Sequence, residues 1–571
     1  MLEAIAAPHR LALHRRALAA LRARPGTDLA RLAHHAEAAQ DRDAVLALAP
    51  AAARQALTVG ARRQAHDQYA RALRFANGLP AEDHAPLLEA FALECLAVGK
   101  TSAGISAREQ AIALRGQLGQ VAQQAESLCR LSNLFVDIAR NAEADAALQR
   151  AFALLSAIPV CRETAYAWRT QAHLSMLRSE DGRAIDASRR AIELGERCGD
   201  VETVISALNS QGMSTARSDF DAGFALLERS REMARAAGRF SQVFNADINL
   251  GEGAAEYCRL DRAETHLLSS IAVANDLQMD PTIPEGTVAL CRLQQGRWDE
   301  AADLATRVLA ACPERRASHI LAQVVLGRVR ARRGDAGVWH ALDEALPLAL
   351  ASEQLIYIAS VRAARAEAAW LEGDLARCGD EARAGHELAA HHRHAWFVGE
   401  LAWWRQSAGD TVPIAACEAA PYAAQRAGHW HEAAQAWQAL RMPYQRACAL
   451  ATGDAAAQRE ALATFEALGA RQTADALREA LRKAGVRGVV RGARASTRSH
   501  PCGLTRAELK VLALVAEGLH NSDIATRLHR SVRTVDHHVA AVLAKLAVAS
   551  RLDAVRRAER EGWLDNPSRC P

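Results

Sequence analysis

The feature that most constrains this chain is a sequence repeat of about forty residues. Segments 110–119 (QAIALRGQLG), 150–159 (RAFALLSAIP), 190–199 (RAIELGERCG), 229–238 (RSREMARAAG) and 269–278 (SSIAVANDLQ) align with one another. Within them Ala111, Ala151, Ala191, Ser230 and Ser270 recur at intervals of 40, 40, 39 and 40. Three positions further on stand Leu114, Leu154, Leu194, Met233 and Val273. A small residue followed at i+3 by an apolar one puts both on one helix face, where a neighbouring helix can approach closely. Turn signals fall between these segments at Asn141, Asp181-Gly182, Asp219 and Asp261, and further on at Gly334-Asp335 and Gly373-Asp374. Each unit therefore reads as a helix, a turn, a second helix and a linking turn. A hairpin of that kind cannot bury its own apolar face, so neighbours must stack into a superhelix.

Composition agrees with this reading. At 571 residues the chain is too long for one core. Half of it is hydrophobic and a quarter charged, the balance of a folded, soluble protein, and its wealth of Ala and Leu favours helix. The pattern resembles tetratricopeptide-like repeats with longer helices, which implies an all-α fold: a helical segment over 1–60 and an α-solenoid over 61–484. Gly296-Arg297-Trp298-Asp299-Glu300-Ala301 and Gly428-His429-Trp430-His431-Glu432-Ala433 share a G-x-W-x-E-A pattern inside it. The concave surface of such an array is the natural seat of a small-molecule or protein effector. Trp168, Trp298, Trp370, Trp396, Trp403, Trp404, Trp430 and Trp437 either line that groove or pack the hairpins together.

A net charge of +4 excludes a polycation that coats nucleic acid, yet it can conceal a local basic module. That module follows Leu481. Arg482, Lys483, Arg487, Arg491, Arg494, Arg498 and Arg506 occur with no acidic residue among them, and 485–502 reads as a basic linker. Beyond it, 503–566 carries four helix signals. Thr505 and Glu508 form a capping box, and the first helix ends at Gly518. Asn521 is expected to cap a short second helix and Ser531 a third, with a tight turn at His529–Arg530 between them. Ser550 and Asp553 open a fourth, which stops near Gly562.

This segment resembles the LuxR-type DNA-binding domain. It follows that pattern through L-T-x-x-E, E-G-L-x-N-x-x-I-A-x-x-L, S-x-R-T-V-x-x-H, K-L and S-R, departing from it at 506–507 and 509. The resemblance implies that the third helix enters the major groove of double-stranded DNA. Asp536, His537 and Ala540 then occupy base-facing positions. Helical geometry points Arg533 away from the core and sets Thr534, His538 and Lys545 on a flanking stripe; these four are the expected contacts to the DNA backbone. Such domains bind paired half-sites, so a homodimer on DNA is expected, with RNA polymerase as a further partner.

The first 80 residues resemble the segment that follows the ATPase in large LuxR-type regulators of the maltose-activator group, and the likeness starts after that ATPase. The only GKT, Gly99-Lys100-Thr101, has Glu94 where a P-loop needs glycine and follows a helical stretch; Gly99 is expected to be a hairpin turn. In HELAAHH (386–392), His386 and His391 stand five apart, about 140° round a helix, so they do not share a face as zinc ligands must. The twelve cysteines form no CxxC pair and read as small buried residues. With no signal peptide and no apolar run long enough for a membrane span, the expectation is a cytoplasmic, non-enzymatic transcription regulator without cofactor or metal. The alternative is a protein-interaction scaffold with a weak or vestigial DNA-binding domain.

Overall fold

Small residues at a fixed beat predict helices that stack by close approach, and the structure is built that way. The computed structural model describes residues 7–311, 315–483, 502 and 504–563. Among them there are helices and turns and no strand. The chain divides into two compact units, Met1–Leu477 and Arg478–Pro571. The expected basic linker, 485–502, lies almost wholly outside the described residues.

In the first unit the second helices of successive hairpins, Thr101–Gln117, Asn141–Leu155, Asp181–Cys198, Phe220–Ala236 and Leu260–Asp276, begin at intervals of 40, 40, 39 and 40. The aligned small residues Ala111, Ala151, Ala191, Ser230 and Ser270 are each 0% exposed. Where serine replaces alanine its hydroxyl is satisfied: Ser230 donates to the Ile205 carbonyl (2.9 Å) and Ser270 to that of Leu267 (2.8 Å). The hairpin turns also repeat. Lys100, Arg140, Glu180 and Arg259 each donate their N–H to the carbonyl five residues back, at 2.8, 2.8, 2.9 and 2.8 Å. This six-to-one bond closes a helix through a left-handed residue. That residue is Gly99 at φ +75°, with Ala139, Ser179 and Cys258 in the equivalent places. Gly99 is therefore a hairpin turn, as expected. The polar signals at Asn141 and Asp181 lie two positions beyond the bend and start the next helix.

One glycine marks the tightest contact. A β-carbon on Gly223, in Phe220–Ala236, would overlap the backbone nitrogen and Cα of Ala216 in the partner helix Val201–Ala216. The backbones would have to part to admit it. Gly223→Ala is thus expected to lower stability by about 1–3 kcal/mol, despite alanine's better helix propensity. Urea unfolding of the full chain checks this; an unchanged or raised midpoint would contradict the packing described.

The stack coils so tightly that successive turns touch. Arg62 donates to the Ser241 hydroxyl at 2.8 Å, 179 residues away. Arg316 grips Asp137 with two bonds of 2.8 Å, again across 179 residues, and also reaches Asp280. Arg441 meets Asp261 at 2.6 Å over 180 residues, and the Asp280 N–H donates to the Ala97 carbonyl at 2.8 Å. A separation of 180 against a unit of 40 gives roughly 4.5 hairpins per superhelical turn. The coil encloses a cavity of about 720 Å³.

The tryptophans mostly pack hairpins. Trp437 is 0% and Trp298 2% exposed; their indole N–H groups donate to Gln425 Oε1 (3.0 Å) and the Leu293 carbonyl (3.1 Å). Trp396 is the one of the eight that lines the axial cavity. Among the described residues no helix is long and apolar enough to cross a membrane.

Candidate nucleic-acid interface

The second unit is a small bundle whose helices Arg506–Ala516, Asn521–Arg527, Val532–Lys545 and Arg551–Arg560 follow the four sequence signals. The caps form much as expected. Thr505 Oγ1 accepts from the Glu508 N–H (3.1 Å), while a Glu508 carboxylate oxygen accepts from the Thr505 N–H (2.7 Å). Ser531 and Ser550 accept from the N–H groups of Thr534 and Asp553, both at 3.2 Å. Glycines 518 and 562 lie in the left-handed region just past their helices (φ +82° and +71°). His529, at φ +51°, makes the bend between the second and third helices.

Val535, Val539 and Val542 fix one face of the third helix against Val511, Leu512, Leu514, Ile524 and Ala525. The opposite face is thereby presented outward. Arg533, Asp536, His537 and Ala540 are exposed on it, and Thr534 and His538 lie half-buried along its flank. A helix held by a buried valine stripe, with a short helix bracing it across a tight turn, defines a helix-turn-helix unit.

Two residues have roles the sequence did not disclose. Asn521 does not cap the second helix: His520 holds that position. The Asn521 carboxamide instead donates to Asp536 Oδ1, tying the bracing helix to a candidate base-facing carboxylate. The two lie 15 residues apart with no local pattern between them. Lys545 is exposed at the far end of the third helix, and its ammonium donates to both Glu508 oxygens, at 2.9 and 2.7 Å. Glu508 is 6% exposed. Burial alone would raise its carboxyl, but the bonds from Lys545 and Thr505 outweigh that and hold it below the usual range.

The fold and its outward helix define the class: a helical-repeat protein carrying a helix-turn-helix domain. Residues 503–558 match the family of bacterial regulatory proteins, luxR family, so this is a LuxR-type domain. A Mycobacterium bovis protein named as an HTH-type transcriptional regulator is 52% identical over 59 residues, 10% of this chain and 7% of that protein. The transcriptional regulatory protein DesR of Bacillus subtilis is 38% identical over 61 residues, 11% of this chain and 31% of DesR. The match thus spans 7% and 31% of the lengths of these two relatives, and the likeness lies in the terminal domain.

Two solved structures are similar elsewhere. A Rap protein complexed with competence and sporulation factor has a TM-score of 0.44 at 13% identity, covering 63% of this chain and 97% of its own. A signal-transduction ATPase with a tetratricopeptide repeat sensor from Pyrococcus horikoshii has a TM-score of 0.32 at 14% identity, covering 61% and 55%. The solenoid assignment here rests on the chain's own hairpins.

In the first unit, the near-miss histidines form no metal site. His386 is hydrogen-bonded to Arg405 at 3.3 Å, and His391 packs edge-on against His392. No group of histidines, cysteines and carboxylates among the described residues is arranged to hold a metal ion.

Proposed function

We propose that this protein is a sequence-specific transcription regulator that lays Val532–Lys545 in the major groove of double-stranded DNA. The observation that carries this is the outward face of that helix, rigidly presented by a buried stripe within a LuxR-type domain. Asp536, His537 and Ala540 face the bases; Asp536 accepts from a cytosine amino group and Ala540 meets a thymine methyl. The bond from Asn521 occupies one Asp536 oxygen and orients the other. Arg533, Thr534 and His538 contact phosphates, and Lys545, anchored on Glu508, adds positive charge at the helix end. The protein binds two half-sites as a homodimer, its solenoid receives the signal, and RNA polymerase is the partner of the DNA-bound form.

Selection of the full chain on a randomised DNA pool, with a salt titration of the enriched sequence, tests this reading. An enriched two-half-site motif whose affinity falls steeply with salt is expected. Failure to enrich any sequence would overturn it in favour of a scaffold, and tight monomeric binding to one half-site would overturn the dimer. On the selected operator, Asp536→Ala is expected to relax preference at one base pair per half-site, by about 1–3 kcal/mol. Arg533→Ala is expected to weaken all sequences alike and flatten the salt slope by about one per subunit. The reverse pattern would reassign the two residues.

A further inference from the structure

The axial cavity is not electrically uniform. Elsewhere on its wall arginines are each met by two acids, Arg217 by Asp181 and Glu256 and Arg328 by Glu400 and Glu367, although the Nε of each is still buried without a hydrogen-bond partner among the described residues. Around Tyr166 the balance fails. Arg130 and Arg169 lie over the Tyr166 ring at 4.9 and 4.6 Å from its centre, and Arg108 lines the same wall, 3% exposed. Among the described residues the carboxylates paired with these three guanidiniums are Glu126, on Arg130 at 2.8 Å, and Glu202, 3.9 Å from Arg169. Arg108 makes no ion pair there; it donates to the Glu89 carbonyl (2.9 Å) and to Ser127 Oγ (3.5 Å). Its Nε, and Nη1 of Arg169, are buried without a hydrogen-bond partner among the described residues. A buried donor left unmatched is costly, and a buried charge more so. Burial, and next the charge of Arg130, push the Arg108 guanidinium down to about 10. Burial, and next Arg169, push His173 on the same wall down to about 4, leaving it neutral. The remaining wall mixes apolar residues such as Leu134, Met213 and Phe244 with polar ones such as Asn133, Asn209, Ser210 and Asn245.

We propose that the cavity binds a small organic anion, its carboxylate or phosphate held by Arg108, Arg130 and Arg169 and its body lying against Leu134, Met213 and Phe244 with polar neighbours beside them. A volume of 720 Å³ suits a metabolite-sized ligand. The ligand supplies the negative charge and acceptors that the folded chain leaves out. This deepens the reading of the solenoid as the receiving part of a regulator; the regulatory meaning rests on that reading, whereas binding itself does not.

The test therefore uses the full chain without DNA. The fluorescent anion 8-anilinonaphthalene-1-sulfonate is titrated beside its neutral relative N-phenyl-1-naphthylamine, with benzoate, phenyl phosphate and neutral benzyl alcohol as competitors. Saturable binding of the anionic probe, displaced by benzoate or phenyl phosphate and not by benzyl alcohol, is expected; the stronger competitor identifies the anionic group. Arg130→Gln and Arg169→Gln should each weaken the anionic probe at least tenfold and leave the neutral one within twofold. Arg108→Met should weaken anion binding similarly while keeping or raising the urea midpoint, because it removes an unmatched buried charge. Anion affinity unchanged within twofold in all three variants, equal loss of both probes, or no saturable anion binding by wild type would each overturn the proposal. None of these results bears on DNA selection, which stands or falls separately.

Discussion

Replacing Arg316 by alanine is expected to remove about 3–5 kcal/mol of stability from the solenoid. The side chain is 2% exposed and joins two carboxylates from different turns of the coil, Asp137 and Asp280. Removing it leaves both acids partly buried without their countercharge, and the Thr101 hydroxyl, which also donates to Asp137, cannot neutralise it. The comparison that gives this number meaning is Arg441→Ala. Arg441 also bridges turns, to Asp261, but the two side chains are 74% and 65% exposed. Solvent screens that pair, and its loss should cost less than about 1 kcal/mol. Urea unfolding of both full-length variants, with amide exchange in peptides spanning 97–137 and 280–320, measures the difference. Equal losses would mean that burial does not set the strength of the inter-turn bridges.

Glu508→Ala should be comparably damaging to the terminal domain. One carboxylate there closes the cap of Arg506–Ala516 and holds Lys545 at the end of Val532–Lys545. Losing the cap costs about 0.5–2 kcal/mol and losing the charged hydrogen bonds about 1.5–3 kcal/mol, with overlap between them. A domain of this size has only about 3–5 kcal/mol in hand, so exchange protection across 504–563 should collapse and DNA binding with it. Glu508→Gln, which keeps a hydrogen-bonding group at the cap, should lose less. The same group predicts a pH dependence. Its folded pKa lies below its ordinary value of 4.5. Its contribution is therefore complete above about pH 4.5 and is lost as the pH falls through the lower, folded value. Protection in 504–563 should weaken in that acid window in wild type, and the Glu508→Gln variant should lack this component.

The hairpin array was legible because its signal is local and repeated. Small residues at a fixed beat can only mean close helix approach, and the positions they mark are fully buried. The outward positions Arg533, His537 and Ala540 were legible for the same reason, since helical periodicity assigns them once the valines are placed inward, whereas Asp536 came from the resemblance to the LuxR-type domain. What escaped were partnerships between distant residues of ordinary type. Asn521 stands where a capping residue belongs, and nothing nearby shows that its carboxamide turns to Asp536 instead. Lys545 reads as a contact to the DNA backbone, because the carboxylate that takes it lies 37 residues away and already has a local role. The three arginines around Tyr166 are of a type common in every part of this chain; only the cavity distinguishes them from solvated charges.

Touching coils also fix how many repeats this protein can have. In an open stack, a hairpin can be gained or lost and its neighbours simply close up. Here each unit advances the superhelix by roughly 80°, a full circle over 4.5 units. Deleting one would bring a different unit beneath Arg316 and leave Asp137 facing another side chain. The array should therefore melt as a block rather than fray from its ends, and its lineage should tolerate substitutions within hairpins far better than changes in their number.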